Sequence, residues 1–91
     1  MKLAWHPHAD RQTDYVAFDE RMRGGVVGYI SVEEVEPTKF LWYWEMTARG
    51  ANITPPEERW GYCRSARAAC EMAEAAWFAA IAGQPDDAQF G

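Results

Sequence analysis

Trp60-Gly61-Tyr62-Cys63-Arg64-Ser65 runs directly into Ala66-Arg67-Ala68-Ala69-Cys70-Glu71-Met72-Ala73-Glu74-Ala75-Ala76-Trp77-Phe78-Ala79-Ala80-Ile81-Ala82-Gly83. The first six residues read as a short aromatic strand and a helix cap. A Ser65 hydroxyl can accept from a free N–H of the first helical turn. The run behind it reads as an alanine-rich helix stopped by Gly83. At 100° per residue, Ala66, Ala69, Cys70, Ala73, Ala76, Trp77, Ala80 and Ile81 gather on one face. Arg67, Glu71, Glu74 and Ala75 gather opposite, with Arg67 and Glu71 at pairing distance. Phe78 falls near that polar face. Small residues let a helix lie close against a sheet of large side chains. Phe40-Leu41-Trp42-Tyr43-Trp44-Glu45-Met46 supplies such a sheet. It alternates with period two, placing Phe40, Trp42, Trp44 and Met46 toward the core and Leu41, Tyr43, Glu45 and Thr47 away from it.

Working outward, Val26 to Val35 is a second β-rich run. Gly28 inside it marks a bulge or a close backbone approach. Glu36-Pro37-Thr38-Lys39 makes the turn into the central strand. Asp14-Tyr15-Val16-Ala17-Phe18-Asp19 reads as another strand, joined to the next by Glu20 to Gly25. The expectation is an α+β domain: an antiparallel sheet of about four strands, with one C-terminal α-helix packed on one face. Residues 1–83 form the single domain, 1–13 a loosely ordered lead-in in which Leu3 to Trp5 can add to a sheet edge, and 84–91 a disordered acidic tail.

At 91 residues, the chain can bury one modest core. Five Trp, four Tyr and four Phe supply much of it. The net charge of −5 disfavours a polyanionic partner such as nucleic acid, without excluding a local basic patch. No apolar run reaches the ~20 residues that span a bilayer, and the N-terminal stretch lacks a signal-peptide core. The reading is a soluble, cytoplasmic protein with no membrane partner. Cys63 and Cys70 do not make a disulfide framework and read as two small thiols in the packing.

Candidate sites are few. His6, His8 and Asp10 point the same way in an extended chain, the spacing of a metal site, although Pro7 disturbs it. Arg21 and Arg23 beside Gly24-Gly25 suggest an anion-binding turn. The sheet face away from the helix is the better candidate. Leu41 and Tyr43 lie on it, with Tyr15 and Tyr29 joining according to register. An exposed aromatic platform binds a protein partner or stacks bases. Glu33 and Glu45 share the face and repel phosphate. Tyr29, Leu41 and Tyr43 are therefore the expected partner-binding residues. No catalytic residue and no cofactor are expected, and a second copy of the chain could also cover this face.

Two resemblances add to this reading. Asp14-Tyr15-Val16-Ala17, Val27-Gly28-Tyr29-Ile30, Trp42-Tyr43-Trp44, Gly61, Ser65 and Ala73-Glu74-Ala75-Ala76-Trp77 resemble small uncharacterised proteins of proteobacteria. That resemblance implies a strand-rich domain with a C-terminal helix and no known activity. Trp60-Gly61-Tyr62-Cys63-Arg64-Ser65 followed by Ala68-Ala69 is similar to the last strand and helix start of the ethylene-response-factor class of DNA-binding domain. That family reads DNA with basic and aromatic strand residues, whereas Phe40 to Ala48 holds Glu45 and no Lys or Arg. The resemblance implies shared architecture without shared function. The expected role is a non-enzymatic interaction or accessory module. The alternative is a nucleic-acid-binding domain using the open sheet face, and the third reading is a metal-dependent protein.

Overall fold

The alternation of the central strand is realised in the computed structural model, which describes residues 3–91 apart from the side chains at positions 11 and 12. Five strands follow in order: β1 (Ala4–His8), β2 (Arg11–Phe18), β3 (Val26–Glu36), β4 (Lys39–Met46) and β5 (Trp60–Cys63). They form one antiparallel meander in chain order, and α1 (Ala66–Ala80) packs across β3, β4 and β5. The fold is α+β. No helix among the described residues is long and apolar enough to cross a membrane.

The strand count is one higher than expected. Positions 1–13, read as a loose lead-in, contain β1 and the start of β2; positions 1 and 2 lie outside the described residues. Trp5 pairs with Ala17 and Pro7 with Tyr15 across the edge. Leu3 to Trp5 were open to an edge role, but Pro7 hid the extension of the strand to His8, because proline cannot donate to a ladder. At an edge it need not. A second tie is a carboxylate on the helix. Glu74 Oε2 accepts from the Leu3 backbone N–H at 2.8 Å and from the Trp5 indole N–H at 2.9 Å. Glu74 is therefore buried, not on the solvent side where periodicity placed it.

Register sorts the sheet into two faces. Ile30 pairs with Trp44, Gly28 with Met46 and Val32 with Trp42, and Trp44 stands beside Gly61. These residues face the helix. A Cβ built on Gly28 would sit 2.6 Å from the Glu45 carbonyl oxygen, and one on Gly61 would sit 3.0 Å from Trp44 Nε1. Glycine at these two positions lets β3 approach β4 and lets the Trp44 indole lie over β5. A bulge between Ala17 and Phe18 opposes Val26–Gly28 and brings Val27 into the core beside exposed Val26. Phe40 shares the parity of Trp44 but is 57% exposed, because the β3–β4 hairpin extends past the start of the helix.

Ser65 Oγ accepts from the Ala68 N–H at 3.1 Å, as its cap position requires. Ala69, Ala73, Ala76, Trp77 and Ala80 are buried against the sheet. The helix ends at Ala80, three residues before the expected glycine stop, and the Thr54 N–H donates to the Ala80 carbonyl at 2.8 Å. Phe78, expected near the polar face, packs partly buried against the core.

The largest correction is the tail. Residues 84–91 were expected to be disordered, yet Phe90 is only 3% exposed. Its ring meets Trp77 edge-on at 5.5 Å, and the Arg21 guanidinium lies 5.9 Å from its centroid. Its N–H donates to the Arg21 carbonyl at 2.7 Å, and its carbonyl accepts from the Arg23 N–H at 2.8 Å. One aromatic residue thus anchors an otherwise polar segment.

The junction it covers is built on Asp19. Asp19 Oδ2 accepts from Arg21 Nη2 at 2.7 Å and from the Trp77 indole at 2.9 Å, while Oδ1 accepts from Arg21 Nε at 3.0 Å. The Arg21 fork lowers the carboxyl from 3.8 to about 2, against the opposing effect of burial. A depressed folded-state pKa gives stability that is fully present above the unfolded value. It is lost as pH falls from about 4 toward 2. After solvent screening, this group contributes ~1–2 kcal/mol across that window. Urea unfolding at a series of pH values should show this loss, and Asp19→Asn should lack that component. Equal acid dependence in both proteins would remove Asp19 from the account.

Candidate functional site

On the face opposite α1, four aromatic rings and two carboxylates converge. Tyr29 pairs with Glu45, Ser31 with Tyr43 and Glu33 with Leu41; across the next ladder, Tyr43 stands beside Tyr62 and Glu45 beside Trp60. Tyr43 is the hub. Its ring centroid lies 5.8 Å from Tyr29, 6.2 Å from Trp60 and 5.3 Å from Tyr62. Trp60 is 59% and Tyr62 47% exposed, whereas Tyr29 and Tyr43 are half-buried. The outer strand therefore presents two accessible rings supported by two inner ones.

The carboxylates hold this array. The Tyr43 hydroxyl donates to Glu45 Oε1 at 2.6 Å, and the Tyr29 hydroxyl reaches the same oxygen at 3.4 Å. The Tyr62 hydroxyl donates to Glu33 Oε1 at 3.4 Å. Burial, then the hydrogen bond to Glu45 and its charge, pushes the Tyr43 hydroxyl well above the ordinary tyrosine range. Tyr43 is a neutral donor at physiological pH, and Glu45 fixes its ring orientation.

Tyr29, Leu41 and Tyr43 all lie on this face, with Leu41 half-buried toward the hairpin end. Tyr15 does not join them. It pairs with Ile30 and packs on the core side. Trp60 and Tyr62 were not assigned to a face from the sequence. The alternation around Gly61 held the signal, and only pairing with β4 told which side it named. Toward β1, a groove of about 660 Å³ continues from Tyr29 along Val26, Phe18, Val16 and His6. The His6 ring meets Phe18 edge-on at 5.3 Å.

The other candidates are not assembled. β1 ends at His8, and Asp10 lies in the following turn, where its backbone N–H donates to His8 Nδ1 at 3.2 Å. Among the described residues, no group of three or more His, Cys, Asp or Glu side chains could hold a metal ion. The Arg21 fork closes on Asp19, and the Gly25 and Arg23 N–H groups donate to the Met22 and Phe90 carbonyls, so these donors serve the fold, while the Arg23 side chain is exposed. Cys63 and Cys70 are free, half-buried thiols. Burial first, and then the charges of Glu74 and Glu71, raise Cys70 to about 11; burial also raises Cys63. Neither is an activated thiolate.

No protein-family model matches the chain, and comparisons with curated proteins and with solved structures return no match.

Proposed function

We propose that the protein is a non-enzymatic interaction module whose partner-binding surface is the open sheet face centred on Tyr43. The observation that carries this reading is the clustering of Trp60 and Tyr62, both exposed, on a base of Tyr29 and Tyr43. Tyrosine and tryptophan combine apolar area with a polar tip and lose little entropy when docked. Within a β-sheet, their backbones are held in fixed register, so the surface is preorganised. A protein partner fits better than nucleic acid, because the carboxylates of Glu33 and Glu45 stand among the rings where a base-stacking platform would need cations.

Trp60→Ala and Tyr62→Ala should each change stability by no more than ~1 kcal/mol, since both rings are exposed. Each should weaken self-association or partner capture. Thermal unfolding measures the first effect; sedimentation and pull-down from the native host measure the second. Unchanged association with an intact fold would take the open face out of the function.

A further inference from the structure

We infer that the open face receives an extended partner segment carrying arginine, its guanidinium groups stacking on the exposed rings and pairing with Glu45 and Glu33. The inference rests on the interaction-module reading and names the chemistry of the partner. Its first ground is charge. Glu33 and Glu45 both stand on this face, and neither has a Lys or Arg partner among the ion pairs of the described residues. β3 contains no Lys or Arg and β4 holds only Lys39, at the hairpin turn, while Arg59 and Arg64 flank β5.

The second ground is how the carboxylates are placed. Each accepts a tyrosyl hydroxyl at Oε1, and no described hydrogen bond uses Oε2 of either residue. The phenols orient the carboxylates without neutralising them. An anionic group beside exposed ring faces attracts a cation by ion pairing and through the ring quadrupole together. Arginine satisfies both better than lysine, because its planar fork stacks on a ring while its edge pairs with a carboxylate. Asp19 and Arg21 show the same combination inside this protein, with Arg21 paired to Asp19 and lying against the Phe90 ring.

The third ground is spacing. Glu33 lies opposite Leu41, and Glu45 is four residues further along β4. At a strand rise of ~3.3 Å per residue, the two rows are roughly 13 Å apart. An extended segment with arginines four positions apart, both on one side, has the same backbone spacing as these two rows.

The test uses the full chain and a Gly/Ser peptide carrying two arginines four residues apart, beside the same peptide with neutral citrulline in place of each arginine. Binding is followed by NMR through the Trp60 indole and the Tyr62 ring. The arginine peptide should shift both signals, and the citrulline peptide should bind at least ~10-fold more weakly. The Glu33→Gln/Glu45→Gln double variant keeps the acceptors for the tyrosyl hydroxyls and should fold as the parent does. It too should lose at least ~10-fold toward the arginine peptide. Equal binding of the two peptides, or undiminished binding by the double variant, overturns the inference. So does the absence of any shift at millimolar arginine peptide, or a shift produced only by single-stranded nucleic acid. If Trp60→Ala still impairs association while the double variant does not, the arginine inference fails and the interaction surface stands.

Discussion

Trp44→Ala is expected to cost ~3–5 kcal/mol, about half of the ~5–10 kcal/mol that holds a domain of this size. Trp44 is 2% exposed, pairs with Ile30 on one side and lies over Gly61 on the other. Its indole fills the space between β5 and the alanines of α1. The small residues that let it fit also limit collapse after truncation. Ala76 and Ala79 have no longer side chain to rotate into the void, Met72 is the one long side chain of the helix beside it, and the Gly61 backbone is held by the ladder. Urea unfolding would show the midpoint falling steeply or the transition disappearing. A midpoint close to that of the parent would mean that the helix does not pack where the register places it.

Phe90→Ala is expected to cost ~3 kcal/mol, the lower end of the range for a buried phenylalanine, because a segment near the chain end can relax. The effect should reach further than the tail. Phe90 covers Trp77, whose indole N–H donates to Asp19, and Asp19 is held by Arg21 beneath the Phe90 ring. Water admitted at this point would compete for the Asp19 hydrogen bonds. Exchange of the Arg23 amide, which donates to the Phe90 carbonyl, should accelerate together with that of the Trp77 indole. Gln89→Ala, one residue away and exposed, should remain within ~0.5 kcal/mol of the parent. Equal effects of the two substitutions would return residues 84–91 to the status of an unanchored tail.

These two residues mark the reach of the sequence. The place of Trp44 was legible because period-two alternation continues over Phe40 to Met46, and a sheet with one covered face makes that pattern unambiguous. The helix, its Ser65 cap and its alanine face were legible for the same reason: a repeat with a fixed period names a face. From these came the α+β class and the placement of Leu41 and Tyr43 on the outer side, whereas Tyr29 depended on the β3–β4 register. Phe90 was not legible, since a single aromatic in a polar segment has no period. Only the position of Trp77 next to the Asp19–Gly25 turn creates a socket for it. β1 was obscured by Pro7 and secured by Glu74, a carboxylate that helical periodicity assigns to solvent and two long-range N–H donors draw inward. The candidate site divides in the same way. The alternation of β4 supplied Tyr43 and Glu45. Trp60 and Tyr62 joined them through the β4–β5 register, which depends on where the loop from Thr47 to Arg59 returns the chain. Local periodicity thus determined which side chains share a face within one element. Tertiary pairing decided which faces meet, because those contacts join residues far apart in sequence and leave no repeat in either partner.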